Sequence, residues 1–369
     1  MATDPDGAKK VFLDAAMLSP DERDAFLTRA CGDDAELRRS VEALLAARQA
    51  SDAAAHRAAA DERIAATQYS PDTEMPGLDA APEKRIAGRY LLEQRIGEGG
   101  MGEVWVARQI EPVKRRVALK LIRPGRDTRS VLQRFDQERQ ALAMMDHPNI
   151  ARVLDGGVTP EGRPFFVMEL VNGLPLVEFC DSARLGIRER LELFVPICQA
   201  VQHAHQKGVV HRDLKPSNIL VTRIDGRPTP KVIDFGVAKA IGGKLTADTL
   251  STQFGAVIGT LEYMAPEQAG LSGQDVDTRA DIYSLGVILY EALAGASPYV
   301  RGEARKVMHQ VSHGMWTRLD ARRDCPVLPR ALVAIVHRAM AFERSERYQT
   351  VEQLSADLRA FIAGGSVSV

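Results

Sequence analysis

His211-Arg212-Asp213-Leu214-Lys215-Pro216-Ser217-Asn218 is the stretch whose reading decides the fold. It follows a β-type run, Gly208-Val209-Val210, and places an arginine, an aspartate, a lysine and an asparagine within eight residues. Asp234, sixteen residues beyond Asn218, ends the apolar strand Val232-Ile233 and opens Asp234-Phe235-Gly236. Chemically, Asp213 can accept a proton, Asn218 and Asp234 can offer oxygen ligands to Mg²⁺, and Lys215 can neutralise phosphate charge. A solvent loop holds any one of these residues without consequence. The ordered set describes an apparatus for moving a phosphoryl group, a reaction catalysed mostly by positioning and electrostatics.

That set resembles the catalytic core of the eukaryotic-type (Hanks-type) serine/threonine protein kinases, in their bacterial branch. The resemblance implies an α+β, two-lobed fold: a small five-stranded antiparallel sheet with one helix, and a larger, mainly helical lobe. It implies ATP and Mg²⁺ as cofactors, with Mn²⁺ as a substitute, and protein substrates carrying serine or threonine acceptors. Asp213 is then the residue that orients the substrate hydroxyl and takes its proton, with Lys215 stabilising the transferring charge. Asn218 and Asp234 are the metal ligands. Lys215 two residues after Asp213, and Thr260 ahead of Ala265-Pro266-Glu267, look like the serine/threonine rather than the tyrosine class.

Upstream, Ile96-Gly97-Glu98-Gly99-Gly100-Met101-Gly102-Glu103-Val104 fits G-x-G-x-x-G-x-V. Alone this is weak, because a dinucleotide fold uses the same letters. There the third glycine opens a helix, whereas Glu103-Val104-Trp105-Val106-Ala107 reads on as a strand, which predicts a hairpin flap whose backbone N–H groups cover phosphates. Val117-Ala118-Leu119-Lys120 is an apolar strand ending in one lysine. Residues 128–145 place Val131, Phe135, Leu142 and Met145 on one helical seam, and Glu138 falls within it. A carboxylate on an apolar stripe requires a partner. The resemblance names Lys120, held by Glu138 so that its ammonium reaches the nucleotide phosphates. It also assigns the adenine edge to backbone groups of Glu169 and Val171, the gate behind it to Met168, and further lining to Ala118 and Leu220.

Other positions carry scaffold roles by the same resemblance. His211 stacks beside Phe235 and, with Leu142 and Val153, forms a hydrophobic spine. Asp281, which opens the helix whose apolar run Ile282–Leu293 is interrupted by Ser284 and Glu291, holds the catalytic-loop backbone, and Arg347 pairs with Glu267. His205 lies on the apolar face of a helix over residues 187–207 and reads as a core histidine. The long, hydroxyl-rich loop between Val237 and Met264 reads as an activation segment. Arg212 has no evident neighbouring partner, which invites a phosphate from that loop. Thr246, Thr249, Ser251 and Thr252 are the candidates, Thr252 first. Related kinases often carry a second phosphorylated threonine where Phe254 stands here, a departure from their pattern.

The kinase core is expected over residues 86–362, with a tail at 363–369. Residues 1–47 read as a short helical module: Ser19-Pro20-Asp21-Glu22 and Asp33 with Glu36 look like helix starts. It docks on the larger domain or on a second copy of itself, giving a homodimer, or it recognises a partner. Residues 48–85, alanine-rich and then proline-bearing, read as a linker. The 48 Lys and Arg against 49 Asp and Glu leave a net charge of −1, so bulk basicity argues for neither nucleic acid nor an anionic membrane. Four cysteines without a C-x-x-C pair fit a reducing cytoplasm, and no apolar run reaches the about 20 residues that span a bilayer. The alternative to an active enzyme is a silent pseudokinase scaffold, which would normally have lost Lys120, Asp213, Asn218 or Asp234. All four are present.

Overall fold

The computed structural model describes residues 20–31, 34, 37–38, 41, 85–99, 102–123, 140, 142, 144–235, 261–269, 276–300 and 304–369. The chain separates into two compact units, Met1–Pro71 and Asp72–Val369. In the first, helix α1 (Pro20–Cys31) starts at the proline, whose missing N–H costs nothing at a helix N-terminus. Leu27, Cys31 and Val41 are buried. The capping carboxylate ahead of the next helical turn is that of Asp34, which accepts from the Leu37 N–H at 2.9 Å; the expected cap, Asp33, lies outside the described residues.

The second unit opens with an antiparallel sheet of six strands in the order β1-β2-β3-β4-β6-β5. They are β1 (Arg85–Ile86), β2 (Tyr90–Gly99), β3 (Gly102–Gln109), β4 (Arg115–Ile122), β5 (Val153–Val158) and β6 (Pro164–Glu169). Five were expected; the sixth is the two-residue β1, which pairs with β2 at the edge. Strand alternation sorts the central residues onto two faces. Val117, Leu119 and Leu121 join Phe165 and Val167 in an outer apolar cluster. Ala118, Ile122, Phe166 and Met168 belong to the main core. Lys120 shares the inner face, so its period of two points it at the cleft. Gly102 permits the flap to sit close on β4: its φ is 144°, and a Cβ there would lie 1.9 Å from the Leu121 carbonyl oxygen. Most of the expected helix over 128–145, Glu138 included, lies outside the described residues; at its end Leu142 and Met145 are buried.

The larger lobe contains α2 (Leu176–Ser182), α3 (Ile187–Gln206), the short α4 (Pro266–Ala269), α5 (Arg279–Ala294), α6 (Ala304–Ser312), α7 (Arg330–Ala339) and α8 (Val351–Ile362). A small sheet joins β7 (Leu174–Pro175), which precedes α2 in sequence, to β8 (Ile219–Ile224) and β9 (Arg227–Val232), which follow the catalytic loop. Asp225 and Gly226, at φ 50° and 78°, turn β8 into β9. Gly208, at φ 75°, follows the end of α3 as expected. Every residue of α5 from Ala280 to Ala294 is buried, as a helix apolar all round requires.

Close approach of α5 to the end of α7 depends on Gly286. A Cβ at that position would lie 2.8 Å from Met340 Cγ and 2.9 Å from Ala339 Cβ. Helix propensity favours alanine over glycine by about 1 kcal/mol, while overpacking a rigid core costs about 1–3 kcal/mol. The clash should win. Gly286→Ala is expected to lower the urea midpoint without changing the m-value; a midpoint that rises would show that the two helices separate at no cost.

Candidate active site

Two residues of the site hold backbone angles that side chains disfavour: Arg212 at φ 67° and Asp234 at φ 62°. Such conformations persist only when the surroundings impose them. At Arg212 the imposing group is Asp281. Its carboxylate, fully buried in the first turn of α5, accepts from the backbone N–H groups of His211 and Arg212, both at 2.8 Å. The helix N-terminus favours a carboxylate there. His205 Nε2 makes a third contact with the same carboxylate at 2.7 Å, so this core histidine is also a brace. Burial alone would push the Asp281 carboxyl up. The hydrogen bond from His205, the nearby histidines and the Arg212 N–H outweigh it and hold the group below the usual carboxylate value.

His211 is wholly buried, with its ring 4.7 Å from that of Phe235. Its Nδ1 accepts the Asp213 N–H at 3.3 Å, which makes Nε2 the protonated nitrogen that donates to the Ile233 carbonyl at 3.0 Å. One imidazole thus ties Asp213 to the residue preceding Asp234. Leu142 and Phe235 are buried in the same core cluster, and Val153 packs against it.

The chemical groups sit on this frame. Asp213 Oδ2 lies 3.1 Å from Lys215 Nζ. Asn218, in a short 3-10 turn, donates its amide to the Asp213 carbonyl at 2.8 Å and to Asp213 Oδ2 at 3.3 Å. That leaves Oδ1 as the Asn218 atom suited to a hard cation. Lys120 Nζ meets Asp234 Oδ2 at 2.8 Å. Burial would raise the Asp234 carboxyl, but the Lys120 charge and hydrogen bond, with the charge of Lys215, outweigh it and hold the group low and ionised. An asparagine carbonyl and an ionised carboxylate are the donor types for Mg²⁺, which binds through few protein oxygens together with substrate phosphates. The donor set fits the cation.

On the nucleotide side, Val104 and Ala118 lie on the inner face, with Val104 opposite Lys120 across the β3–β4 ladder. A bulge in β2 between Arg95 and Gly97 leaves Ile96 out of register just before the glycines. Gly97 pairs with Val104, and Gly99 with Gly102, across the hairpin, so the flap is a strand pair and the dinucleotide reading falls. Met168 and Glu169 are the last two residues of β6, Val171 lies in the connection that follows, and Leu220 lies on β8.

Some supporting residues carried no sequence signal strong enough to be found. Lys231 on β9 pairs with Glu169 at 2.7 Å, and the Glu169 N–H donates to the Arg152 carbonyl at 2.9 Å. Gln268 donates to the Arg212 carbonyl at 2.9 Å. Glu291, which interrupts the apolar run of α5, accepts from Tyr263 Oη at 2.5 Å; a carboxylate inside an apolar helix was the available hint. Arg347, in contrast, meets Glu267 as expected, with two bonds of 2.8 and 2.9 Å and no exposure of its side chain. Glu138, Gly236, Thr260 and the candidate phosphosites Thr246, Thr249, Ser251 and Thr252 lie outside the described residues. Arg212 forms no ion pair among the described residues, and its buried Nε has no hydrogen-bond partner.

The Asp281 carboxylate has its carboxyl held below the ordinary value, so its stabilisation is present at neutral pH and is lost as pH falls through that lowered value. Asp281→Asn should therefore cost about 3 kcal/mol at pH 7, the scale of a buried polar network losing its charge. Below about pH 4, where an unfolded aspartate protonates, the wild-type melting temperature should fall more steeply than that of the variant. Parallel pH profiles would contradict this account of Asp281.

The protein kinase domain family matches residues 90–362. Serine/threonine-protein kinase PknB of Mycolicibacterium smegmatis is 39% identical over 287 residues, covering 74% of this chain and 43% of that protein. A probable serine/threonine-protein kinase of Streptomyces coelicolor, SCO3848, is 38% identical over 290 residues, covering 77% of this chain and 41% of that protein. The chain thus spans less than half the length of these relatives. Among solved structures, the PknI kinase domain of Mycobacterium tuberculosis superposes with a TM-score of 0.57 at 26% identity, covering 78% of this chain and all of that one. With the catalytic loop, the flap and the Asp234 segment in place, the chain belongs to the protein kinase family, among the eukaryotic-type serine/threonine kinases of bacteria.

Proposed function

We propose that this chain transfers the γ-phosphoryl group of ATP to serine or threonine hydroxyls of proteins. The observation that carries this reading is the convergence of Asp213, Lys215 and Asn218 on one loop, bonded to one another at 2.8–3.3 Å, with Asp234 ionised against Lys120. In this reading the substrate hydroxyl lies against Asp213. As its oxygen forms the new bond to the γ-phosphorus, the bridging P–O bond breaks toward ADP and the hydroxyl proton passes to the Asp213 carboxylate. Lys215 and Lys120 offset the negative charge on the phosphates. Mg²⁺ held by Asn218 Oδ1 and the Asp234 carboxylate would neutralise the polyphosphate further.

The glycine-rich hairpin covers the phosphates, and the segment at Glu169 and Val171 receives the adenine edge. Glu138 positions Lys120 in the competent state. Retention of Lys120, Asp213, Asn218 and Asp234 disfavours a silent scaffold. Four free cysteines are compatible with a reducing cytoplasm; burial pushes the Cys180 thiol up to about 11 and raises Cys198 as well, which keeps both unreactive.

Control enters through Arg212, whose guanidinium is suited to a phosphate. Autophosphorylation, first at Thr252, would add about −1.5 to −2 charge and order the activation segment against it. Asp213→Asn is expected to lower transfer to a generic protein substrate by about 10²–10⁴-fold, the contribution of a positioned base, while Mg·ATP still binds. Peptide mapping should find phosphate on Thr252 in the wild type and none in the variant. Full activity of Asp213→Asn would end the reading.

A further inference from the structure

Glu98 and Glu103 stand directly opposite each other across the glycine-rich hairpin. Directly opposed residues of an antiparallel pair share a face, and two like charges there repel. Their face is the outer one: Glu103 pairs with Leu121 and Val104 with Lys120, so Glu103 points away from the cleft. Each carboxylate is met by arginine. Glu98 has Arg95 at 2.6 Å and Arg123, just past β4, at 2.8 Å. Glu103 has Arg163, from the β5–β6 turn, at 3.2 Å.

The two clamps are not equal. Glu98 and its two arginines are about half exposed, and such pairs contribute little. Arg163 and Glu103 are 24% and 23% exposed, so solvent screens them less. Arg163 also donates from Nε to the Ile122 carbonyl at the end of β4, at 3.3 Å. Its backbone is fixed in turn: Thr159 N–H donates to the Arg163 carbonyl at 2.8 Å, and the Arg163 N–H donates to Thr159 Oγ1 at 3.2 Å. Trp105 Nε1 donates to the other oxygen of Glu103 at 3.2 Å. A rigid turn thus reaches across β4 to the outer face of the flap.

We propose that Arg163 is a positioning residue for the nucleotide phosphates, acting through Glu103. Its guanidinium offsets the Glu103 charge that faces Glu98 and ties β3 to the end of β4, which steadies the hairpin tip and keeps the Gly97 and Gly99 backbone N–H groups aimed at the phosphates. Removing Arg163 takes this counter-charge from Glu103 while Glu98 keeps Arg95 and Arg123, and the hairpin loosens from its outer face without any change in Lys120, Asp213 or Asp234. This rests on the kinase reading for its effect on ATP, but not for its effect on the flap.

The test uses the full chain as wild type, Arg163→Ala, Arg163→Lys, and Arg163→Ala combined with Glu103→Gln. Amide hydrogen exchange at residues 97–99 without nucleotide should speed up in Arg163→Ala and return toward wild type in the double variant. The KM for Mg·ATP should rise about three- to tenfold in Arg163→Ala, the scale of a partly buried ion pair, with kcat little changed. Arg163→Lys, which keeps the charge but not the fork, should fall between. If Arg163→Ala does not fold, Arg123→Ala, which exposes Glu98 from the other side, should show a smaller shift in the same readouts. A lower melting temperature with unchanged exchange and KM, or no rescue by Glu103→Gln, would overturn the proposal. Wild type that fails to bind Mg·ATP would remove the kinase reading, while hydrogen exchange would still decide the clamp.

Discussion

Asp281 carries a charge with no exposure to water, and burying an isolated carboxylate is among the costliest things a fold can do. The cost is offset because donors converge on it: two consecutive backbone N–H groups of the catalytic loop and the ring of His205. Those same bonds hold Arg212 at a left-handed backbone angle immediately ahead of Asp213. Helix α5 is apolar on every side and therefore has a single place to go, the centre of the larger lobe. The position of the carboxylate, and through it the loop, is set by the hydrophobic burial of the whole helix.

A second buried ion pair closes the frame on another side. Arg347 gives two bonds to Glu267 and others to the carbonyls of Ala341, Phe342 and Arg279. A guanidinium so surrounded has its donors satisfied, which is the condition for tolerating such a charge in the interior. Ser284, on α5, donates to the Tyr263 carbonyl at 2.7 Å, and Glu291 holds the Tyr263 hydroxyl. The segment around Tyr263 is therefore attached to the same helix that holds the catalytic loop. Gln268 joins the two directly through the Arg212 carbonyl. The segment 261–269 and the catalytic loop thus share one support.

Against that rigidity, the nucleotide flap is a hairpin whose tip depends on glycine and on charge. Gly102 allows β3 to lie on β4 at a separation no side chain permits. On its outer face the opposed Glu98 and Glu103 are met by Arg123 and Arg163 from outside the hairpin. The larger lobe is held mainly by apolar burial and the flap by screened electrostatics, so the two halves differ in how easily they move.

The residues proposed to carry catalysis were legible because phosphoryl transfer needs particular side chains at short, ordered spacings, and spacing is a property of the chain. His211, Asp213, Asn218 and Asp234 are of this kind, and so is the alternation that turns Lys120 inward. Arg347 with Glu267, and Asp281 with the catalytic loop, were legible only through resemblance, since their partners are separated by 80 and about 70 residues. Lys231 with Glu169, Gln268 with Arg212, Tyr263 with Glu291 and Arg163 with Glu103 had no comparable mark. Each is an ordinary polar residue whose meaning depends on which distant group lies within about 3 Å, a distance that hydrogen bonding demands and sequence spacing does not encode. The sequence by itself determined the chemistry and the order of the elements; the tertiary structure decided which charges meet, because packing of α5 and register of the sheet place side chains that the chain keeps far apart.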